Sequence, residues 1–228
     1  MNKTELKLEY EICENENSGI PVIVVAAGNS TRMKGTNKQL ALLGGIPVII
    51  RTLRNFENSK DISNIILVVK DTDLFEFQML THKYMITKIS DIVCGGNSRQ
   101  ESVLIHDGAR PFADEKIINS VVSALNSHSA VTCAVKVKDT VKKIDKDGKV
   151  IKTLKRDSLV AVQTPQGVEK EKYLEVVKNV NVADFTDDTS IMEAAGYDVF
   201  TVEGSYKNIK ITTQEDMISA NAFLNQED

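Results

Sequence analysis

The chain has 228 residues, 42% of them hydrophobic and 26% charged, with a formal net charge of −4 from 28 basic and 32 acidic side chains. That balance suits a soluble globular protein able to bury a sizeable core, and it argues against general nucleic-acid binding, which needs a basic face. No apolar run approaches the roughly 18 residues of a membrane span. Three scattered cysteines, Cys13, Cys94 and Cys133, suggest neither a disulfide framework nor a zinc site, so a reducing cytoplasm is the expected location.

Residues 1–20 are polar and acidic, lack an apolar signal core, and read as an extension ahead of one domain over 21–228. Val22–Val25 is β-branched throughout, as in a strand covered on both faces. A helix is expected about Pro47–Phe56, where Pro47 suits the first turn and Ile49, Ile50, Leu53 and Phe56 form a stripe. Strands follow at 64–69, 92–94, 104–107 and 130–137, with helices over 73–83 and 114–127. Cys94 and Cys133 fall in the apolar runs and read as core residues. This alternation predicts an α/β fold: a Rossmann-like, mostly parallel sheet with helices on both faces.

Residues 138–158 break the rhythm. They are strongly charged and centre on Asp147-Gly148, a hairpin signal, so they read as a protruding β-hairpin arm or a plain surface hairpin. A strand near 159–163, a helix near 169–179 and a strand near 197–202 follow. A last helix begins at Thr213, where Thr213-x-x-Asp216 has the pattern of a capping box. One interval does not fit. Only nine residues separate Cys94 from Leu104, whereas neighbouring parallel strands need a crossover of about a dozen or more. Either these strands are not neighbours or a stretch between Val103 and Leu104 is absent; an intact mass equal to the 25.2 kDa of the sequence would exclude the second.

The polar residues cluster after strand ends. Ala26-Ala27-Gly28 closes the first strand, and small residues there let a backbone approach a ligand and form an anion-binding nest. Neither the dinucleotide fingerprint nor the Walker A pattern is complete. Arg32 and Lys38 add two cations, although a solvated loop accounts for the same charges. His106-Asp107-Gly108-Ala109-Arg110-Pro111 ends another strand, at the edge where open α/β sheets bind ligands. Asp107 could hold Mg²⁺ beside a phosphate and Arg110 could grip the phosphate; a structural Asp–Arg pair is the plain alternative. His106, alone on a strand, reads as a satisfied core residue rather than a catalyst. Arg156 lies on the arm, Thr164 within Gln163-Thr164-Pro165-Gln166, and Lys210 after Asn208-Ile209. Thr186-Asp187-Asp188 could serve acid–base or metal chemistry, or simply cap a helix. Together these cations and one carboxylate suit transfer chemistry on phosphates, where positioning and charge neutralisation dominate.

Read as an ordered set, VAAGNSTRM, Lys38-Gln39, GGNSRQESV, LIHDGARPF, VKDTVK, QTPQG, FTDD and VEGSYKNIKIT resemble the 2-C-methyl-D-erythritol 4-phosphate cytidylyltransferases, from about Val22 to Leu224. The resemblance implies attack of a sugar-alcohol phosphate on the α-phosphate of CTP, with diphosphate leaving. It implies that Ala26, Ala27 and Gly28 cradle the nucleotide, and that Arg32 and Lys38 stabilise the transition state. Gly96 and Ser102 would contact the cytidine side. Asp107 would hold Mg²⁺, with Gly108 nearby. Arg110, Thr140, Thr164 and Thr186 would line the methylerythritol phosphate site, and Arg156 and Lys210 would position the attacking phosphate. The arm would reach across a homodimer, so that Arg156 serves the partner's site. Such chemistry needs no general base, because a phosphate monoester is already ionised near neutral pH. Three features depart from the family pattern: residues 1–20, Asn37 where proline is common, and the helix usual between GGNSRQESV and LIHDGARPF. Ribitol 5-phosphate cytidylyltransferase is the neighbouring alternative, and a non-catalytic nucleotide-binding module the alternative of another class.

Overall fold

The computed structural model describes residues 19–28, 38–93 and 101–225. Its centre is a seven-stranded sheet. The first strand, β1 (Ile20–Val25), lies between β4 (Ile62–Val68) and β6 (Ser102–Asp107), parallel to both. Beyond β4 stands β5 (Ile89–Val93), also parallel, at one edge. On the other side β10 (Val160–Glu169) runs antiparallel between β6 and β7 (Ala130–Lys136). The parallel β11 (Phe200–Glu203) closes that edge. The mostly parallel sheet expected from the alternation is therefore present, with β10 reversed.

Side chains alternate across this sheet, and each face is covered. Val22 and Val24 of β1, with Leu104 of β6, pack beneath α1 (Val48–Asn58), α2 (Leu74–Lys83) and α3 (Glu115–Leu125). The opposite face sets Val103, Ile105 and Val168 against α4 (Lys170–Val177) and α5 (Asp188–Ala194). The stripe read in α1 is the buried one, with Ile49, Ile50, Leu53 and Phe56 all at 0% exposure. Pro47, however, is its N-cap residue rather than part of its first turn. The last helix, α6 (Gln214–Leu224), starts from Thr213, and both bonds of the capping box are made. No helix among the described residues is long and apolar enough to cross a membrane.

Two features were not expected. Leu42–Leu43 (β2) and Ile46–Pro47 (β3) form a small ladder around Gly44 and Gly45, whose φ of 55° and 76° are the left-handed values a two-residue hairpin turn requires. The strand expected near 159–163 continues to Glu169, with an irregular register between Val162 and Gln166. The charged segment does form a hairpin, from β8 (Lys142–Ile144) and β9 (Val150–Thr153), with Gly148 at φ 85° in its turn. β5 and β6 are not neighbours, since β4 and β1 stand between them. The short interval between Cys94 and Leu104 still calls for a crossover, because the two strands run parallel in the same sheet.

Candidate active site

Val25, Val68, Val93 and Asp107 stand level with one another where the parallel strands end. The site grows from this edge. The Gly108 N–H donates to the Val25 carbonyl (2.9 Å), and the Thr52 hydroxyl donates to the Gly108 carbonyl (3.0 Å). A Cβ on Gly108 would stand 2.9 Å from Ile49 Cδ1 and 3.0 Å from that same Val25 oxygen, so a small residue suits this junction. Ala26 is buried, Ala27 half-buried and Gly28 exposed, a staircase from core to surface.

Asp107 is the centre of charge. Its Oδ2 accepts from Arg110 Nε (3.2 Å) and its Oδ1 pairs with Lys210 Nζ (2.8 Å). Burial alone would push this carboxyl up, but Lys210 and Arg110 outweigh it and hold Asp107 below the usual carboxylate range. Lys210 reaches it because the next residue, Ile211, is fully buried and its N–H donates to the Ala109 carbonyl (2.9 Å). Arg110 is fixed by a second bond, from Nη1 to the Asn208 carbonyl (2.8 Å). The irregular part of β10 delivers Thr164, whose hydroxyl oxygen accepts from the Asp107 N–H (3.0 Å).

His106 is fully buried, edge-on to Phe56, as a core histidine should be. Burial drives its pKa down to about 4, so the ring is neutral at physiological pH. Its two nitrogens are nonetheless both spent on the site, on the Arg110 carbonyl and the Thr164 hydroxyl. Asn208, also fully buried, donates through Nδ2 to the Thr164 carbonyl (2.9 Å). Sequence reasoning gave neither residue a role. The signal available was their position, one residue before Asp107 and two before Lys210.

Asp107, Gly108, Arg110, Thr164 and Lys210 are thus gathered at one edge. Lys38 lies in the turn that precedes β2 and is partly buried. Thr140 is exposed at the root of the arm, and Arg156 nearby donates to the Lys138 carbonyl (2.9 Å). Thr186 is exposed just ahead of α5. Asp187 caps that helix through the Ser190 N–H (2.8 Å), and Asp188 accepts from the Tyr173 hydroxyl (2.6 Å), so these carboxylates have structural partners. Arg32, Gly96 and Cys94 lie outside the described residues. Ser102 is not brought to the site. It is the first residue of β6, paired with Glu169, five positions from Asp107 and so about 17 Å away along the strand. Cys133 is buried, which pushes its thiol up to about 12 and leaves it a core residue.

A single carboxylate between two cations, with a hydroxyl and backbone N–H groups beside it, can receive phosphorylated ligands and a hard divalent cation. Among the described residues no group of three potential metal ligands occurs. The family model described as 2-C-methyl-D-erythritol 4-phosphate cytidylyltransferase matches residues 20–226. A protein of that name from Bacillus thuringiensis (strain Al Hakam) is 42% identical, over 89% of this chain and 96% of its own length. One from Clostridium tetani (strain Massachusetts / E88) is 38% identical over 98% of this chain and 96% of its own. Among solved structures, 4-diphosphocytidyl-2C-methyl-D-erythritol synthase from Anaerococcus prevotii DSM 20548 superposes with a TM-score of 0.76 at 34% identity, covering 92% of this chain and 100% of its own. The Francisella tularensis 2-C-methyl-D-erythritol 4-phosphate cytidylyltransferase gives 0.72 at 29% identity, covering 90% and 99%. The chain belongs to the 2-C-methyl-D-erythritol 4-phosphate cytidylyltransferase family.

Proposed function

We propose that this chain transfers a cytidylyl group from CTP to 2-C-methyl-D-erythritol 4-phosphate, releasing diphosphate, as a step toward isoprenoids in the cytoplasm. The observation that carries the reading is Asp107, held between Arg110 and Lys210 beside Thr164 at the edge where the parallel strands end. Family membership supplies the substrates.

The barrier to this reaction is repulsion between two anions, the attacking phosphate and the nucleotide. Lys210 and Arg156 position the attacking phosphate, and Arg110 lines the same pocket. Ala27 and Gly28 offer backbone N–H groups to the triphosphate, while Ala26, whose own N–H donates to the Val68 carbonyl (2.7 Å), gives the close approach of a small residue, with Gly96 on the base side. Lys38 and Arg32 neutralise the charge on the pentavalent α-phosphate of the transition state. Mg²⁺ fits the donor set. It keeps most of its waters and takes one or two protein carboxylates beside substrate phosphates, and each Asp107 oxygen keeps a lone pair beyond its bond to a cation. Asp107 would hold it, and when bound it supplies further charge neutralisation.

The arm completes the site in a homodimer. Ile144, Val150 and Ile151 are more than half exposed on it, an apolar surface that favours docking on a second copy. Arg156 and Thr140 at its root then serve the partner's methylerythritol phosphate, with Thr186 lining the same pocket. The test is diphosphate release from CTP with 2-C-methyl-D-erythritol 4-phosphate and, separately, with ribitol 5-phosphate. Turnover with the first supports the proposal; turnover with ribitol 5-phosphate alone overturns it.

A further inference from the structure

The Thr164 hydroxyl carries one proton, and the geometry fixes where it goes. The argument starts at Arg110, whose carbonyl lies 3.1 Å from His106 Nε2. A carbonyl only accepts, so Nε2 carries the hydrogen of the neutral ring and donates it. His106 Nδ1 is then bare and must accept. Its partner is Thr164 Oγ1 at 3.0 Å, so the threonine proton points inward, to the histidine. The threonine oxygen keeps two lone pairs, and one takes the Asp107 N–H at 3.0 Å. What remains is a single acceptor position on a half-buried residue. No proton is left with which Thr164 could donate to a phosphate oxygen.

We propose that His106 is a positioning residue that locks Thr164 as an acceptor, so that this threonine reads a hydroxyl group of the sugar-alcohol phosphate and not its phosphate. The inference rests on the function proposed above. It divides recognition of the acceptor substrate by chemistry, with cations for the phosphate and a proton-poor oxygen for the polyol. The ring is held by Phe56, edge-on at 4.8 Å between centroids, and the Thr164 main chain by Asn208. The bonds close into one loop, because Asn208 also accepts from Arg110 through its carbonyl.

Two measurements test this on the full chain. Nitrogen NMR of labelled histidine in the resting protein should find His106 protonated at Nε2 and bare at Nδ1. Steady-state kinetics should then show Thr164→Val and His106→Gln each raising KM for the sugar-alcohol phosphate about ten- to hundredfold, with KM for CTP little changed. The double variant should be no worse than Thr164→Val alone, since the two residues act as one unit. His106→Asn should recover part of the loss, because its amide oxygen falls where Nδ1 was, whereas the amide of His106→Gln falls at Nε2. A proton on Nδ1, equal rises in both KM values, or losses that multiply in the double variant would overturn the inference alone. Failure of the unaltered chain to turn over would overturn the proposed function, and this inference with it.

Discussion

Asp107 and His106 are adjacent on one strand, yet burial treats them oppositely. The carboxylate keeps its charge because two cations face it, and the imidazole loses its own because complete burial outweighs the pull of the Asp107 anion, which the same two cations offset. The second case makes a prediction about stability. His106 takes up a proton near pH 6.5 in the unfolded chain but only near pH 4 in the fold. Between those values the unfolded state binds more protons, so its contribution is complete above pH 6.5 and is lost as pH falls through that window. The loss is about 3.5 kcal/mol at most, at about 1.4 kcal/mol per pH unit, and most of it is reached by pH 4.5. Urea unfolding at pH 7 and pH 4.5 should show this loss, and it should shrink in His106→Asn. Lys38 makes a kinetic prediction. Lys38→Ala should lower kcat about 10²-fold, the scale of losing a group that stabilises transition-state charge. A rise in KM with kcat intact would remove Lys38 from that role.

At the scale of elements, the loop after β11 shows how closely Lys210 depends on its approach. Gly204 has no room for a side chain: a Cβ there would strike Gln163 Oε1 and lie 3.2 Å from the backbone of Ala134. Gln163 in turn holds Ser205 through Nε2 to its carbonyl (2.8 Å). Gly204→Ala should therefore displace the segment carrying Lys210, costing about 1–3 kcal/mol in thermal unfolding and lowering kcat. Elements with strong periodicity were legible in the sequence. The α1 stripe, the β1 run and the Thr213 cap follow from residue type alone, because apolar spacing and side-chain oxygens act locally. The antiparallel course of β10 was not legible, since strand direction depends on partners distant in the chain. The ladder around Gly44 and Gly45 had a signal, two glycines between apolar pairs, that went unread. Asp107, Arg110 and Lys210 were nameable as types with a chemistry. That they meet rests on the Ile211–Ala109 bond, a long-range contact without a local pattern. The place of Ser102, at the start of β6 and opposite Glu169, was likewise not legible from its motif.

For the whole molecule the question is whether one chain holds a complete site. Under the proposed function Lys38, in the turn before β2, would serve the site of its own subunit, and Arg156 would serve the other. If so, mixing Lys38→Ala with Arg156→Ala under conditions of demonstrated subunit exchange should restore part of the activity that each lacks alone. No recovery would confine the site to one chain. The arm and the site meet in β10, whose ten residues begin next to the arm, pass Thr164 and end at α4. Such a strand resists stretching, because its backbone is already extended. It is hydrogen-bonded to β7 at its start and to both β7 and β6 at its end. The section between, which holds Thr164, leaves the ladder and is tied instead to Asp107, His106 and Asn208. Tension applied to the hairpin by a second subunit would be taken up there, so the hairpin would serve as a handle and Thr164 as the point where the pull is felt.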